Sequence, residues 1–128
     1  MIQQYLATTY RRYGRGPEAF DCWGMVRDAR VRMFGKPELT SHGDVGGDDA
    51  RGMTAAVNAT INSSLRPASK SPGVIAMGWR GRLCVHVGII VDVDNRLWVL
   101  ETNDKTGPVI TRIPDFESRF LKVTYYDD

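Results

Sequence analysis

Long apolar runs, a secretory leader, a block of like charge and a rich supply of cysteine or histidine are all missing from this chain, and each absence excludes something. No stretch approaches the roughly 18 apolar residues of a membrane-spanning helix, so membrane insertion is not expected. Met1 to Tyr13 lacks the apolar segment of a signal peptide; if the protein acts outside the cell that makes it, another system is expected to deliver it. Its 17 Lys and Arg are interspersed with 15 Asp and Glu for a net charge of +2, without the basic run that a nucleic-acid surface would show. Two cysteines, Cys22 and Cys84, could form at most one disulfide. Without a leader, the expected compartment is reducing and both are read as thiols. Neither repeats nor low-complexity segments are found.

The 128 residues, 42% hydrophobic and 25% charged, suit one globular domain spanning 1–128. Ile2, Tyr5, Leu6 and Thr9 have helical spacing, which predicts a first helix within Met1 to Arg12. Gly14, Gly16 and Pro17 break it. Cys22, Met25, Val26, Ala29 and Met33 then form the inward stripe of an amphipathic helix, with Asp21 as N-cap and Gly35 and Pro37 at its exit. Ser41 to Gly52, rich in Gly and Asp, reads as a surface loop, and Met53 to Leu65 as a polar helix. Strands are expected at Gly73 to Met77, Arg82 to Val91, Leu97 to Asn103, Val109 to Ile113 and Phe120 to Tyr126. Helices followed by an antiparallel meander make the expected class α+β.

Cys22 follows the expected N-cap directly. There the positive end of the helix dipole favours a thiolate, the nucleophilic form of cysteine. The same position also suits a small core residue. An imidazole would stabilise such a thiolate and return a proton to a leaving amine. Of the two histidines, His42 lies in the Gly/Asp loop, whereas His86 sits inside the apolar run Leu83 to Val91. Strict alternation puts Leu83, Val85, Val87 and Ile89 on one face and Cys84, His86, Gly88 and Ile90 on the other. His86 is therefore either a hydrogen-bonded core histidine or the base. On the next strand Leu97, Val99, Glu101 and Asn103 share a face. Glu101 or Asn103 would then reach the second imidazole nitrogen and orient the ring. A zinc site from Cys22, His42, Cys84 and His86 is the metal alternative, although its ligands lack the close spacing of structural zinc pairs; the reading adopted needs neither metal nor cofactor.

The segment Tyr13-Gly14-Arg15-Gly16-Pro17-Glu18-Ala19-Phe20-Asp21-Cys22-Trp23-Gly24-Met25-Val26 resembles the signature of the NlpC/P60 cysteine peptidases, in which a Tyr-Gly loop leads to Phe-Asp-Cys-Ser-Gly-Phe-Val. Ser71-Pro72-Gly73-Val74 is similar to that family's Pro-Gly-Asp strand, and His86-Val87-Gly88-Ile89 to its His-Val-Gly-Ile strand. Val99-Leu100-Glu101-Thr102-Asn103 looks more like the Glu-x-Asn ending of CHAP amidases. The resemblance implies a papain-like core with the nucleophile at a helix N-terminus packed on an antiparallel sheet. It further implies Cys22, His86 and Glu101 as catalytic residues, and Tyr13, Asp21, Trp23 and Asn103 around the oxyanion or substrate, with the Tyr13 hydroxyl pointing into the site. Peptidoglycan stem peptides are the implied substrate. Trp23 in place of Ser, with Val26-Arg27, is most similar to phage-tail members, which implies a tail-tip location in the virion and tail-tip proteins as partners. A structural tail-assembly protein without activity and an effector amidase carried by a secretion system are the alternatives.

Overall fold

The computed structural model describes all 128 residues. In chain order it comprises α1 (Ile2–Leu6), β1 (Thr9–Tyr10), β2 (Ala19–Phe20), α2 (Cys22–Phe34), α3 (Ala50–Ser64), β3 (Arg66–Pro67), β4 (Ile75–Arg80), β5 (Leu83–Val93), β6 (Arg96–Asn103), β7 (Gly107–Arg112), α4 (Ile113–Ser118) and β8 (Lys122–Asp127). It is a mixed helix and sheet molecule with an antiparallel main sheet, as the α+β reading requires. None of its helices is long and apolar enough to cross a membrane.

The termini of α2 follow the rules read from sequence. The Asp21 side chain accepts from the Gly24 amide at 2.8 Å, and Gly35 closes the helix in the left-handed conformation at φ 63°. The next helix begins earlier than expected because Asp49 caps it, accepting from Gly52 N–H at 3.0 Å. The first helix is shorter than expected. It stops at Leu6, and Thr9 and Tyr10 instead pair in parallel with Ala19 and Phe20. This pairing folds the intervening loop back towards the start of α2.

Six strands form the main sheet in the order β3-β8-β4-β5-β6-β7. The expected meander holds from β4 to β7 and then breaks, because β8 returns to pair with β4. Residues 113–118 carry the chain back as α4 across the sheet, with Pro114 in the first turn, where a missing N–H costs nothing. Ile113 thus belongs to a helix rather than to the strand expected there. On one face α2 and α3 bury Met25, Val26, Ala29, Met53 and Val57 against Ile75, Met77, Val87, Ile89, Val91 and Leu100. On the other, Ile113 and Phe116 of α4 cover Val74, Ala76, Ile90 and Val99. Every central strand is covered on both sides, which explains the near-continuous apolar runs of β4 and β5.

Two irregularities in this sheet shape the space around His86. Gly78 pairs with His86 but Trp79 pairs with Cys84, so Val85 is an extra residue in a β-bulge. The bulge corrects the alternation expected for this strand. Cys84 turns into the core beneath α2 and α3, while His86 faces Phe116 and Phe120 at the α4 side. The second irregularity is a divergence of strands. The β5–β6 ladder, closed by a tight turn with Asp94 and Asn95 at φ 54° and 63°, ends at Ile89 and Leu100. Beyond that point β5 continues with β4 and β6 with β7.

Gly14 and Gly24 bring the loop against the helix start. A Cβ on Gly24 would run into the Gly14 carbonyl oxygen, which is backbone and cannot swing aside. Gly24→Ala is expected to cost about 2 kcal/mol, in the range for overpacked sites, and to lower the thermal unfolding midpoint accordingly. An unchanged midpoint would show that the loop is free to move away.

Candidate active site

The opening between diverging β5 and β6 is a cleft of about 330 Å³ lined by Tyr10, Arg12, Cys22, Gly47, Asp48, Val85, His86, Thr102, Asn103 and Asp104. Cys22 reaches it from the first turn of α2. Its amide lies where the helix offers no acceptor of its own, so donor and sulfur share one end of the helix. A Cβ built on Gly47 would lie 3.5 Å from the Cys22 sulfur and 3.4 Å from the Tyr10 hydroxyl. Any side chain here would come into van der Waals contact with both groups.

His86 Nε2 is 2.8 Å from Glu101 Oε1. Glu101 is 1% exposed, and as a carboxylate it only accepts, so Nε2 carries the hydrogen. Cys22 lines the same cleft as His86, and Nδ1 is the ring nitrogen that the Glu101 bond leaves free. Burial opposes charge on this imidazole, but the neighbouring Cys22 and the Glu101 carboxylate bonded to it outweigh burial, and the His86 pKa is raised to about 9. Burial likewise opposes charge on Glu101. Hydrogen bonds from His86 and Arg119, the charge of His86 and a hydrogen bond from Thr111 prevail there, and its pKa is lowered to about 2. A thiol, an imidazole poised to be cationic and a fixed carboxylate thus stand in sequence across the divide between the strands.

Cys84 is different in kind. It is fully buried, with its sulfur 3.7 Å from the His86 carbonyl oxygen, and burial pushes its pKa up to about 12. Both cysteines are free thiols. The four residues of the zinc alternative do not assemble, because the bulge turns Cys84 away from the His86 face and His42 bonds Thr60 at 3.1 Å on the far side of the Gly47 loop.

The other expected site residues have separate duties. Asp21 caps α2 and accepts from Arg15 at 2.7 Å. Arg15 also donates to the carbonyls of Ser41 and His42, at 2.9 and 2.8 Å, which ties the Gly/Asp-rich loop to the helix start. Trp23 is buried, donates to the Thr40 carbonyl at 3.0 Å and lies beside His42. Both Asp21 and Trp23 line a small pocket behind the cleft instead of the cleft itself. Asn103 does line it, but its Oδ1 accepts from the amides of Lys105 and Thr106, shaping the β6–β7 turn; Glu101 alone meets the imidazole.

Tyr13, like Asp21 and Trp23, does not line the Cys22 cleft. Its backbone is left-handed at φ 65°, its ring is half-exposed under the Arg12 guanidinium, and it lies outside the Cys22 cleft. Tyr10 takes that place, with its hydroxyl pushed up to about 12 by burial and by the nearby Cys22 and Asp21. Sequence reasoning absorbed Tyr10 into the first helix; the strand-like pairing of Thr9–Tyr10 with Ala19–Phe20, which aims it, has no local signal. Arg119 and Thr111, which bond Glu101, were missed for the same reason. No protein-family model and no curated protein matches the chain.

The shifted pair makes stability depend on pH in a definite way. Glu101 has a folded pKa below its unfolded value of roughly 4.3, so its contribution is present above that pH and is lost as pH falls towards about 2. His86 has a folded pKa above its unfolded value of roughly 6.5, so its contribution is complete below that pH and is lost as pH rises through about 9. Urea unfolding should therefore give a plateau near pH 5 to 6 in the wild type, within the window those model values bracket. Glu101→Gln should flatten both flanks; unchanged flanks would mean other groups set them. Iodoacetamide at neutral pH should modify Cys22 and leave Cys84 untouched until unfolding, as peptide mass mapping would show. Modification of Cys84 in the folded protein would contradict its burial.

Proposed function

We propose that the chain is a cysteine hydrolase of the NlpC/P60 and CHAP type with a papain-like core, cutting amide bonds in peptidoglycan stem peptides. The observation that carries this reading is His86 bonded to the buried Glu101 carboxylate and lining one cleft with Cys22. The motif resemblance and the location of Cys22 at a helix start beside an open cleft support it.

In this mechanism the Cys22 thiolate attacks the amide carbon while imidazolium stands beside it. The Cys22 amide and the Tyr10 hydroxyl supply donors for the oxyanion, where electrostatic stabilisation is worth most. His86 gives its Nδ1 proton to the nitrogen as the C–N bond breaks, leaving a thioester on Cys22 and a free amine. Water then attacks the thioester carbon and passes a proton to His86, and the acid departs with the thiolate restored. Glu101 stays ionised throughout and holds the ring.

A tail-tip role in the virion, with tail-tip proteins as partners, rests on the Trp23 variant of the motif. An alternative keeps the fold as a tail-assembly part with the site latent. Its specific support is the 4% exposure of Cys22 and the Arg12–Asp48 bridge of 2.9 Å at the cleft rim.

Purified wild type and Cys22→Ala, incubated with defined peptidoglycan fragments and read by mass spectrometry, decide between these. Products from the wild type alone support the hydrolase and identify its bond. Equal products from both would remove Cys22 as nucleophile, and none from either folded protein would favour the latent or structural role.

A further inference from the structure

Glu101 is more heavily partnered than the orientation of one imidazole requires. Its Oε1 accepts from His86 Nε2 and from Arg119 Nη2, both at 2.8 Å. Its Oε2 accepts from Thr111 Oγ1 at 2.5 Å and from Arg119 Nη1 at 2.7 Å. Two parallel N–H bonds from one guanidinium to both oxygens fix the plane of the carboxylate as well as its charge. The guanidinium is itself held, 5.3 Å from the ring centres of both Phe116 and Phe120. Phe120 lies stacked on His86 at 6.0 Å and 19°. Gly78 allows this, since a Cβ there would sit 2.6 Å from the Phe120 ring. The segment from α4 to Phe120 therefore reaches the imidazole twice, once through the carboxylate and once through the ring face.

We propose that Arg119 is a positioning residue for the Cys22–His86 pair: by clamping both oxygens of Glu101 it holds the carboxylate, and through it the imidazole, so that the second ring nitrogen faces Cys22. Its catalytic consequence rests on the hydrolase reading; its geometric content does not. Without the clamp, Glu101 keeps only His86 and Thr111 and is free to rotate, so the imidazole is held less firmly beside Cys22 and favours the Cys22 thiolate less. The other charged or titratable groups facing His86 are Cys22 from α2, Tyr10 from β1, Arg80 from β4, and Arg12, Asp48, Asp104 and Lys105 from the surrounding loops. None of these bonds Glu101.

The test needs no substrate. Alkylation of Cys22 by iodoacetamide is followed from pH 4 to 10 in the wild type, Arg119→Met, Arg119→Lys and Lys105→Ala, with folding checked by circular dichroism. The acid limb of the rate should move up by about one pH unit in Arg119→Met, a loss of roughly tenfold on that limb. Arg119→Lys, which keeps the charge but not the fork, should fall between, and Lys105→Ala should superpose on the wild type. An Arg119→Met profile equal to wild type would reduce Arg119 to a structural part. A shift as large in Lys105→Ala would assign the effect to general charge and overturn the proposal. If Arg119→Met does not fold, Arg119→Lys decides alone, a wild-type profile overturning the role of the fork. With cleavable fragments, kcat should fall with little change in KM. Should the wild type cleave nothing, the hydrolase reading fails while the alkylation profiles still judge Arg119.

Discussion

A carboxylate with about one percent of its surface in water is tolerable only where its charge is met by donors, because an isolated buried ion carries a large desolvation cost. Glu101 is such a group, and its surroundings read as the means of keeping it there. Two strands, β6 and β7, supply the carboxylate and Thr111; β5 supplies His86; the end of α4 supplies Arg119. Four consecutive elements of the chain meet at one pair of oxygens. The same convergence leaves the imidazole one free nitrogen and one direction in which to point it, which is towards the start of α2.

The backbone makes room for this centre by departing from regular sheet geometry. A sheet fully zipped between β5 and β6 would close the space that the cleft occupies. Its ladder stops at Ile89 and Leu100, and the bulge at Val85 re-aims the strand just before His86. Bulges commonly serve this purpose beside sites. Around it, glycines at 14, 24 and 78 let backbone or rings approach more closely than any side chain would permit. The cleft is thus formed by local defects in an otherwise well-packed α+β core, whose two apolar faces supply the rigidity that a preorganised site needs.

Much of the architecture was readable from local pattern. The stripe from Cys22 to Met33, the Asp21 cap and the Gly35 stop are local signals, and the helix formed where they say. The five main strands appeared within a few residues of expectation; the face alternation of β6 left Glu101 and Asn103 as candidates for His86, and Glu101 is the one that bonds it. Errors arose where one residue or one distant partner overrode local periodicity. A single bulge moved Cys84 to the opposite face. The last strand left the meander because α4 carried it across the sheet. Thr9 and Tyr10 left the helix for a two-residue pairing with β2. Tyr13, expected in the site, was turned away by a left-handed backbone, and Tyr10 stands in its place.

By itself the sequence determined which residues have the chemistry and on which type of element each sits, because capping, periodicity and turn preference act over a few residues. It specified a thiol at a helix start, a histidine within an apolar strand and an acid on the neighbouring one. Tertiary structure alone decided which of these meet. The splay of β5 from β6, the return of the chain through α4 and the resulting contact of Arg119 with Glu101 are long-range pairings, fixed by packing two cores against one sheet and by the need to satisfy a buried charge.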